Sequence, residues 1–246
     1  MGANRCQQGE TMTNTIREIL RDLERVRENM LALSDDIWLG IDHNDPEALD
    51  AGYAFKRDYN KHMIEFDRLA TEISGLVQTF TAVKIEGPDE GATLSETEQQ
   101  KRDRLIRDLD KSQPHAISES FTYKRPYGFK LCGEAFVDLV CWRRVLELVC
   151  HVLARRDRAR FEALPDNPEF HSNRGNSLFT RDPTRLRAPT RITDTVHVEC
   201  HMSANHIRDF IRDLLRAFAI PEGEMAIYLR QDRDAHDAGA SVGSAA

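Results

Sequence analysis

Two histidines and one glutamate alternate in a short segment of the sequence, HVECHM at residues 197–202. Successive side chains of a strand point to opposite faces, so His197, Glu199 and His201 would share one face there. Imidazole and carboxylate groups are ligands of zinc and related metals, although such a site usually needs a further ligand from elsewhere in the chain. The segment is therefore either the site of a metal-dependent hydrolase or, as we favour, the polar face of a half-buried antiparallel strand.

The cysteines do not extend this set of ligands. The chain has 5 cysteines and no CxxC pair, which argues against a disulfide framework and favours a reduced, cytoplasmic protein. Cys141 and Cys150 fall on one predicted helix, where their spacing directs them to opposite sides. We therefore expect no bound metal and no cofactor.

A basic segment gives the stronger indication of function. The chain carries a net charge of −7, yet residues 120–191 contain 14 basic and 8 acidic side chains. In FTYKRPYGFK, residues 121–130, aromatic side chains are interleaved with cations. Such aromatics either stack on bases while the cations contact phosphates, or belong to the core beside surface cations.

Arginines follow this segment in irregular stretches that contain Gly, Asn and Pro. Forked guanidinium groups near accessible backbone N–H groups suit the recognition of phosphates or carboxylates. We therefore predict a surface for nucleic acid or another anion, formed by Lys124, Arg125, Tyr127, Lys130, Arg174, Arg181, Arg185 and Arg187.

Two long helices precede these residues. Apolar residues recur with alternating spacings of three and four at Ile16, Ile19, Leu23, Val26, Met30, Leu33 and Ile37. This heptad pattern predicts a helix over about 14–39, followed by a stop at Gly40. Asp45 and Pro46 then begin a second helix, which carries a similar seam and ends near Val83. We expect an antiparallel, coiled-coil-like helical hairpin over 14–85.

A hairpin of two helices buries little apolar surface alone, so we expect it to pair with a second copy or with another protein. Its tip, SDDIWLGIDHND at residues 34–45, places Trp38 among carboxylates. Trp38 is a candidate partner contact; the alternative is an ordinary helix cap and turn.

The remainder divides into four segments. Residues 1–13 read as a disordered leader, with Met12 as an alternative start, and 86–120 as a linker with one short charged helix. Residues 121–230 mix short strands with helices and predict a small α+β domain, while 231–246 read as a disordered tail.

The fold class is thus α+β, and no apolar run is long enough for a membrane span. Our leading hypothesis is a non-enzymatic, bacterial accessory protein of the cytoplasm. It would form a homo-oligomer through the hairpin and present the arginine-rich domain to nucleic acid. The alternatives are an adaptor within a larger protein complex and a metal-dependent hydrolase that uses His197, Glu199 and His201.

Overall fold

The computed structural model describes residues 3–83, 85, 98–171 and 177–232, without the side chains of 3–11, 98, 99 and 101. The chain divides into two compact units, Met1–Ala92 and Thr93–Ala246. Helices combine with two small antiparallel sheets. The fold is therefore mixed α+β, which confirms the predicted class.

The first unit contains two long helices, α1 over Ala3–Leu39 and α2 over Pro46–Thr81. Helix α1 begins well before the predicted start near residue 14, so most of the predicted disordered leader is helical. The start of α2 agrees with its sequence signals, since the Asp45 side chain accepts a hydrogen bond from the Glu47 backbone N–H. Pro46 tolerates this first turn because no N–H is needed there.

Contacts between α1 and α2 join their residues in reverse order along the chain. Lys56 Nζ lies 2.8 Å from Asp35 Oδ1, and Tyr59 Oη donates to the Met30 carbonyl at 2.8 Å. Farther from the turn, Arg27 pairs with Asp67. The two helices therefore pack side by side and antiparallel.

The second unit contains both sheets. The larger has strands β1 (His115–Ala116), β2 (Pro126–Leu131), β3 (Glu134–Phe136) and β7 (Met225–Leu229), in the order β1-β7-β2-β3. The smaller has β4 (Phe179–Thr180), β5 (Pro189–Arg191) and β6 (His197–Glu199), in the order β4-β6-β5. Strands β2 and β3 meet at the predicted turn, where Cys132 and Gly133 have φ of 49° and 78°. Two successive left-handed residues are what a tight two-residue hairpin requires.

Three helices pack within this unit around the main core: α4 (Trp142–Arg156), α5 (Arg158–Glu162) and α6 (Ala204–Ala217). The apolar stripe of α6 is buried, including Ile207, Phe210 and Leu214. The Phe161, Phe170 and Phe179 rings pack edge to face within this core.

The short charged helix α3 (Glu98–Leu109) belongs to the second unit and not to a linker. Its apolar residues Leu105 and Leu109 form a second core cluster with Tyr127, Ala135 and Tyr228. The other face of α3 remains charged, which explains why its sequence resembled a linker. Residues 86–97 of the predicted linker and the tail from 233 onward lie outside the described residues.

Candidate functional surfaces

The apolar heptad residues of α1 are largely exposed. Met12, Ile19, Val26 and Leu33 recur every seven residues, and Ile19 exposes 62% of its surface. Leu23 and Met30, which alternate with them, are half-buried. The predicted seam therefore lies beside the contact with α2 and largely outside it.

Helix α2 shows the same arrangement. Its heptad residues Leu69, Ile73, Leu76 and Phe80 are exposed, with exposed fractions of 70% for Leu76 and 93% for Phe80. Side chains of this size and polarity are usually covered in a folded protein.

Both apolar stripes lie on one side of the helix pair. An α-helix turns by about 100° per residue. On this basis the apolar stripe of each helix lies roughly 110–120° around the helix from the buried residues that face the other helix. When each helix is followed from its N-terminus, this rotation has the same sense in α1 and in α2. Because α1 and α2 are antiparallel, rotations of the same sense bring both stripes to the same side. We call this surface the apolar face: Met12, Ile19, Val26, Leu33, Ile37, Leu69, Ile73, Leu76 and Phe80.

Polar side chains occupy the contact between α1 and α2. Arg27 is 3% exposed and pairs with both Asp67 and Glu24, which are themselves buried. Ser34 and Ser74 are buried on the same faces. Charged groups thus lie between the helices together with apolar residues such as Leu20 and Met63, while further large apolar groups lie outside the contact.

Trp38 is half-buried at the end of α1. Its ring packs against His43 with centroids 5.5 Å apart, and its carbonyl oxygen lies 3.2 Å from His43 Nε2. These contacts support the interpretation of the tip as a cap and turn; a partner contact at Trp38 stays a prediction.

Two residues of the predicted anion-binding surface lie in the interior instead. Tyr127 is 6% exposed, and its hydroxyl donates to Asp108 Oδ2 at 2.9 Å. Its ring therefore cannot stack on a base, and the assignment of Tyr127 to that surface is wrong. Lys130 is half-buried above the Tyr228 ring and pairs with Asp110, the residue that follows α3.

The other predicted cations lie in separate segments. Lys124 and Arg125 are half-buried before β2, whereas Arg185 and Arg187 are exposed between β4 and β5. Arg181 forms a two-pronged ion pair with Asp166, at 2.9 Å and 2.7 Å. Arg174 lies outside the described residues. Arg185 and Arg187 are thus the predicted cations that remain most accessible.

The HVECHM segment forms strand β6 only over His197–Glu199, with Val198 and Cys200 buried and the alternate residues half-buried. The Glu199 carboxylate contacts the backbone, where it accepts hydrogen bonds from the N–H groups of Arg187, Ala188 and His201. Among the described residues, no group of three or more His, Cys, Asp or Glu side chains is arranged to hold a metal ion.

Sequence reasoning missed a charged cluster at the edge of the larger sheet. His115 is held from both sides, with Nδ1 2.8 Å from Glu119 and Nε2 2.8 Å from Asp232. Burial lowers the pKa of His115, but the hydrogen bonds and charges of the two carboxylates outweigh burial and raise it overall. The hydrogen bond from His115 in turn lowers the pKa of Glu119.

A comparison of the chain with protein-family models, with curated proteins and with solved structures finds no match. Within the part of the chain that the structure describes, no helix is long and apolar enough to cross a membrane. The proposed function therefore depends on the apolar face of the helix pair and on the exposed arginines of the second unit.

Proposed function

We propose that this chain is a non-enzymatic accessory protein that self-associates through its helical hairpin and presents its arginine-rich α+β unit to nucleic acid. The observation that carries the proposal is the apolar face, which leaves side chains such as Ile19, Leu76 and Phe80 exposed on one side of the helix pair. A second copy of the hairpin is the proposed occupant of this face.

A second copy suits the apolar face for two reasons. The face repeats at heptad spacing along both helices, which is the pattern of helices that pack knobs-into-holes. A two-fold axis would also place identical apolar faces against each other, as in the isologous interfaces of most homodimers. The proposed assembly is a four-helix bundle in which each copy contributes α1 and α2.

The nucleic-acid part of the proposal is supported by the exposed arginines of the second unit. Arg185 and Arg187 project from the loop that precedes β5, and Glu199 fixes the backbone of that loop. Guanidinium groups on a fixed loop suit phosphate contacts, which would make binding strongly dependent on salt. The described cysteines carry free thiols, with Cys141, Cys150 and Cys200 buried, in keeping with a cytoplasmic location.

The self-association is tested by sedimentation equilibrium of the whole chain and of the variants V26E and L76E. We expect the wild type to be a dimer or larger and each variant to shift toward monomer, because a carboxylate cannot be buried unpaired in an apolar interface. Lys61 is exposed on α2 and lies about 90° around the helix from the apolar stripe, so K61E serves as the control and should assemble normally. A wild-type monomer at all accessible concentrations would contradict the proposal.

The nucleic-acid interface is tested separately, by titration of labelled single- and double-stranded DNA and RNA over a series of salt concentrations. Affinity should fall as salt rises and should drop in the R185A/R187A variant. No binding at low salt would eliminate this part and leave self-association to be judged on its own result.

The second candidate function is a protein–protein adaptor, with the arginines directed at carboxylates of a partner. It is favoured by the intramolecular pairs that already occupy Arg181 and Lys130, because these cations demonstrate an affinity for carboxylates. Binding that is confined to protein ligands and drops in R185A/R187A would support the adaptor over the nucleic-acid interface.

A further inference from the structure

The second unit contains a basic cavity that the sequence did not indicate. Its volume is about 440 Å³, and it lies between the end of α4, the start of α5 and the turn after β5. Polar lining residues are His151, Arg155, Arg158, Arg191, Thr193 and Asp194, with Ala154 and Ile192 as apolar wall. We call it the arginine cavity.

Three guanidinium groups and a single carboxylate line the arginine cavity. Asp194 lies 2.8 Å from Arg191 and 3.8 Å from Arg158. Arg155 and Arg158 have other partners at the rim, Glu134 and Glu162. Asp194 is therefore the one anion among the lining residues, and it holds two of the three arginines together.

We propose that the arginine cavity binds a small organic phosphate, with the phosphoryl group between Arg158 and Arg191 and the organic part against Ala154 and Ile192. Among the lining side chains three guanidinium groups face one carboxylate, and Glu134 and Glu162 pair with two of these arginines from outside the lining. A phosphomonoester, which carries a charge of about −1.5 to −2 at pH 7, would therefore compete with these carboxylates for the guanidinium donors. Guanidinium forks also match the oxygens of a phosphoryl group in geometry.

The size of the cavity assigns an organic phosphate in preference to an inorganic ion. Small-molecule pockets commonly span about 300–1,000 Å³, and the 440 Å³ of the arginine cavity falls in that range. An inorganic phosphate would leave the apolar wall uncovered. His151 lines the same cavity and adds an imidazole N–H as a further possible donor.

Asp194 would compete with a bound phosphate for Arg158 and Arg191. Its replacement by asparagine should increase the affinity for a phosphate, whereas loss of an arginine should decrease it. An increase in affinity does not arise from misfolding, so the two variants keep the proposal falsifiable in both directions.

The experiment is isothermal titration calorimetry of the whole chain with ribose 5-phosphate and adenosine 5′-monophosphate, compared with ribose, adenosine and inorganic phosphate. We expect the two phosphomonoesters to bind and the unphosphorylated compounds to give no heat, with inorganic phosphate weaker than either ester. R158Q and R191Q should each weaken binding about tenfold or more, as expected when a hydrogen bond to a charged group is lost. D194N should tighten it severalfold.

The matched control is R216Q, because Arg216 is an exposed arginine of the same unit that pairs only locally, with Asp213 at 2.9 Å. This variant should bind like the wild type, as should R185A/R187A, which separates the cavity from the proposed nucleic-acid loop. No binding of either ester, unchanged affinity in R158Q and R191Q, or no gain in D194N overturns the proposal.

Discussion

Arg27 of α1 and Asp67 of α2 form an ion pair that is buried between the two long helices, with exposed fractions of 3% and 5%. Glu24 contacts the same guanidinium from one turn earlier in α1, at 3.1 Å. Buried charges of this kind contribute little net stability, but they can fix the register of two helices because a shifted pairing would leave them unpaired. The pair therefore holds α1 and α2 in the register that places both apolar stripes on one side.

Removal of one member of this pair should destabilise the first unit strongly. In the R27M variant Asp67 and Glu24 stay buried without a cation, at a cost of about 3–5 kcal/mol when a buried pair is broken, whereas D67N leaves Arg27 paired with Glu24 and should cost less. Urea denaturation followed by circular dichroism measures the change, with R57M as control because Arg57 and Asp58 are well exposed. The double variant R27M/D67L should be more stable than R27M, because it removes one of the two carboxylates left without a cation, and an equal loss in both would contradict the pairing.

Stability should also depend on protein concentration. If the apolar face is covered by a second copy, the unfolding temperature must rise with concentration, because the copy binds only the folded chain. L76A and F80A should lower it at high concentration, with up to about 1.5–3 kcal/mol lost for each large apolar side chain removed from the interface. At low concentration both variants should unfold like the wild type, and a loss there would place Leu76 and Phe80 in the core of the monomer.

The His115 cluster should give the second unit a measurable pH dependence. Because the folded-state pKa of His115 is raised, its contribution is complete below its unfolded pKa and disappears as the pH rises through the folded-state value. The lowered pKa of Glu119 acts oppositely, with its contribution lost as the pH falls through that value. Stability should therefore fall on both the alkaline and the acid side.

The H115Q variant tests this expectation. Its free energy of unfolding, measured from about pH 6 to 9, should lose the alkaline decline that the wild type shows above the unfolded histidine pKa of about 6.5. H62Q is a suitable control, because His62 is exposed on α2, 3.6 Å from Glu65. An identical pH profile in H115Q would show that the two carboxylates do not hold the imidazolium.

The sequence predicted local structure well where one physical rule dominated. The stripe of α6 is buried because its spacing leaves a single apolar side, and α2 begins at Asp45 and Pro46 because few other residues suit a helix start. The heptads of α1 and α2 were also visible, but periodicity cannot distinguish the contact within a hairpin from a contact between copies. The burial of Arg27 and Asp67 identifies the side of each helix that faces the other helix of the same chain.

The candidate site was harder to predict because it depends on distant residues. Tyr127 resembled a stacking platform in FTYKRPYGFK until α3 covered it through Leu105 and Leu109. His115 and Asp232 are 117 positions apart, and the arginine cavity joins α4 with the turn after β5. No local pattern encodes such neighbours.

Glu199 provides the last prediction, because it decides between the two interpretations of HVECHM. Its carboxylate accepts three backbone hydrogen bonds, from Arg187 at 2.7 Å, Ala188 at 3.1 Å and His201 at 2.7 Å. In the E199Q variant an NH2 group replaces one of the two oxygens and cannot accept hydrogen bonds, so amide hydrogen exchange should accelerate either at residue 187, which donates to Oε2, or at residues 188 and 201, which donate to Oε1. A metal site would behave differently: zinc would raise the unfolding temperature of the wild type, and E199Q or H197Q would abolish the rise. We expect the faster exchange and no effect of zinc, since a carboxylate that is saturated by backbone N–H groups has little capacity left for a cation.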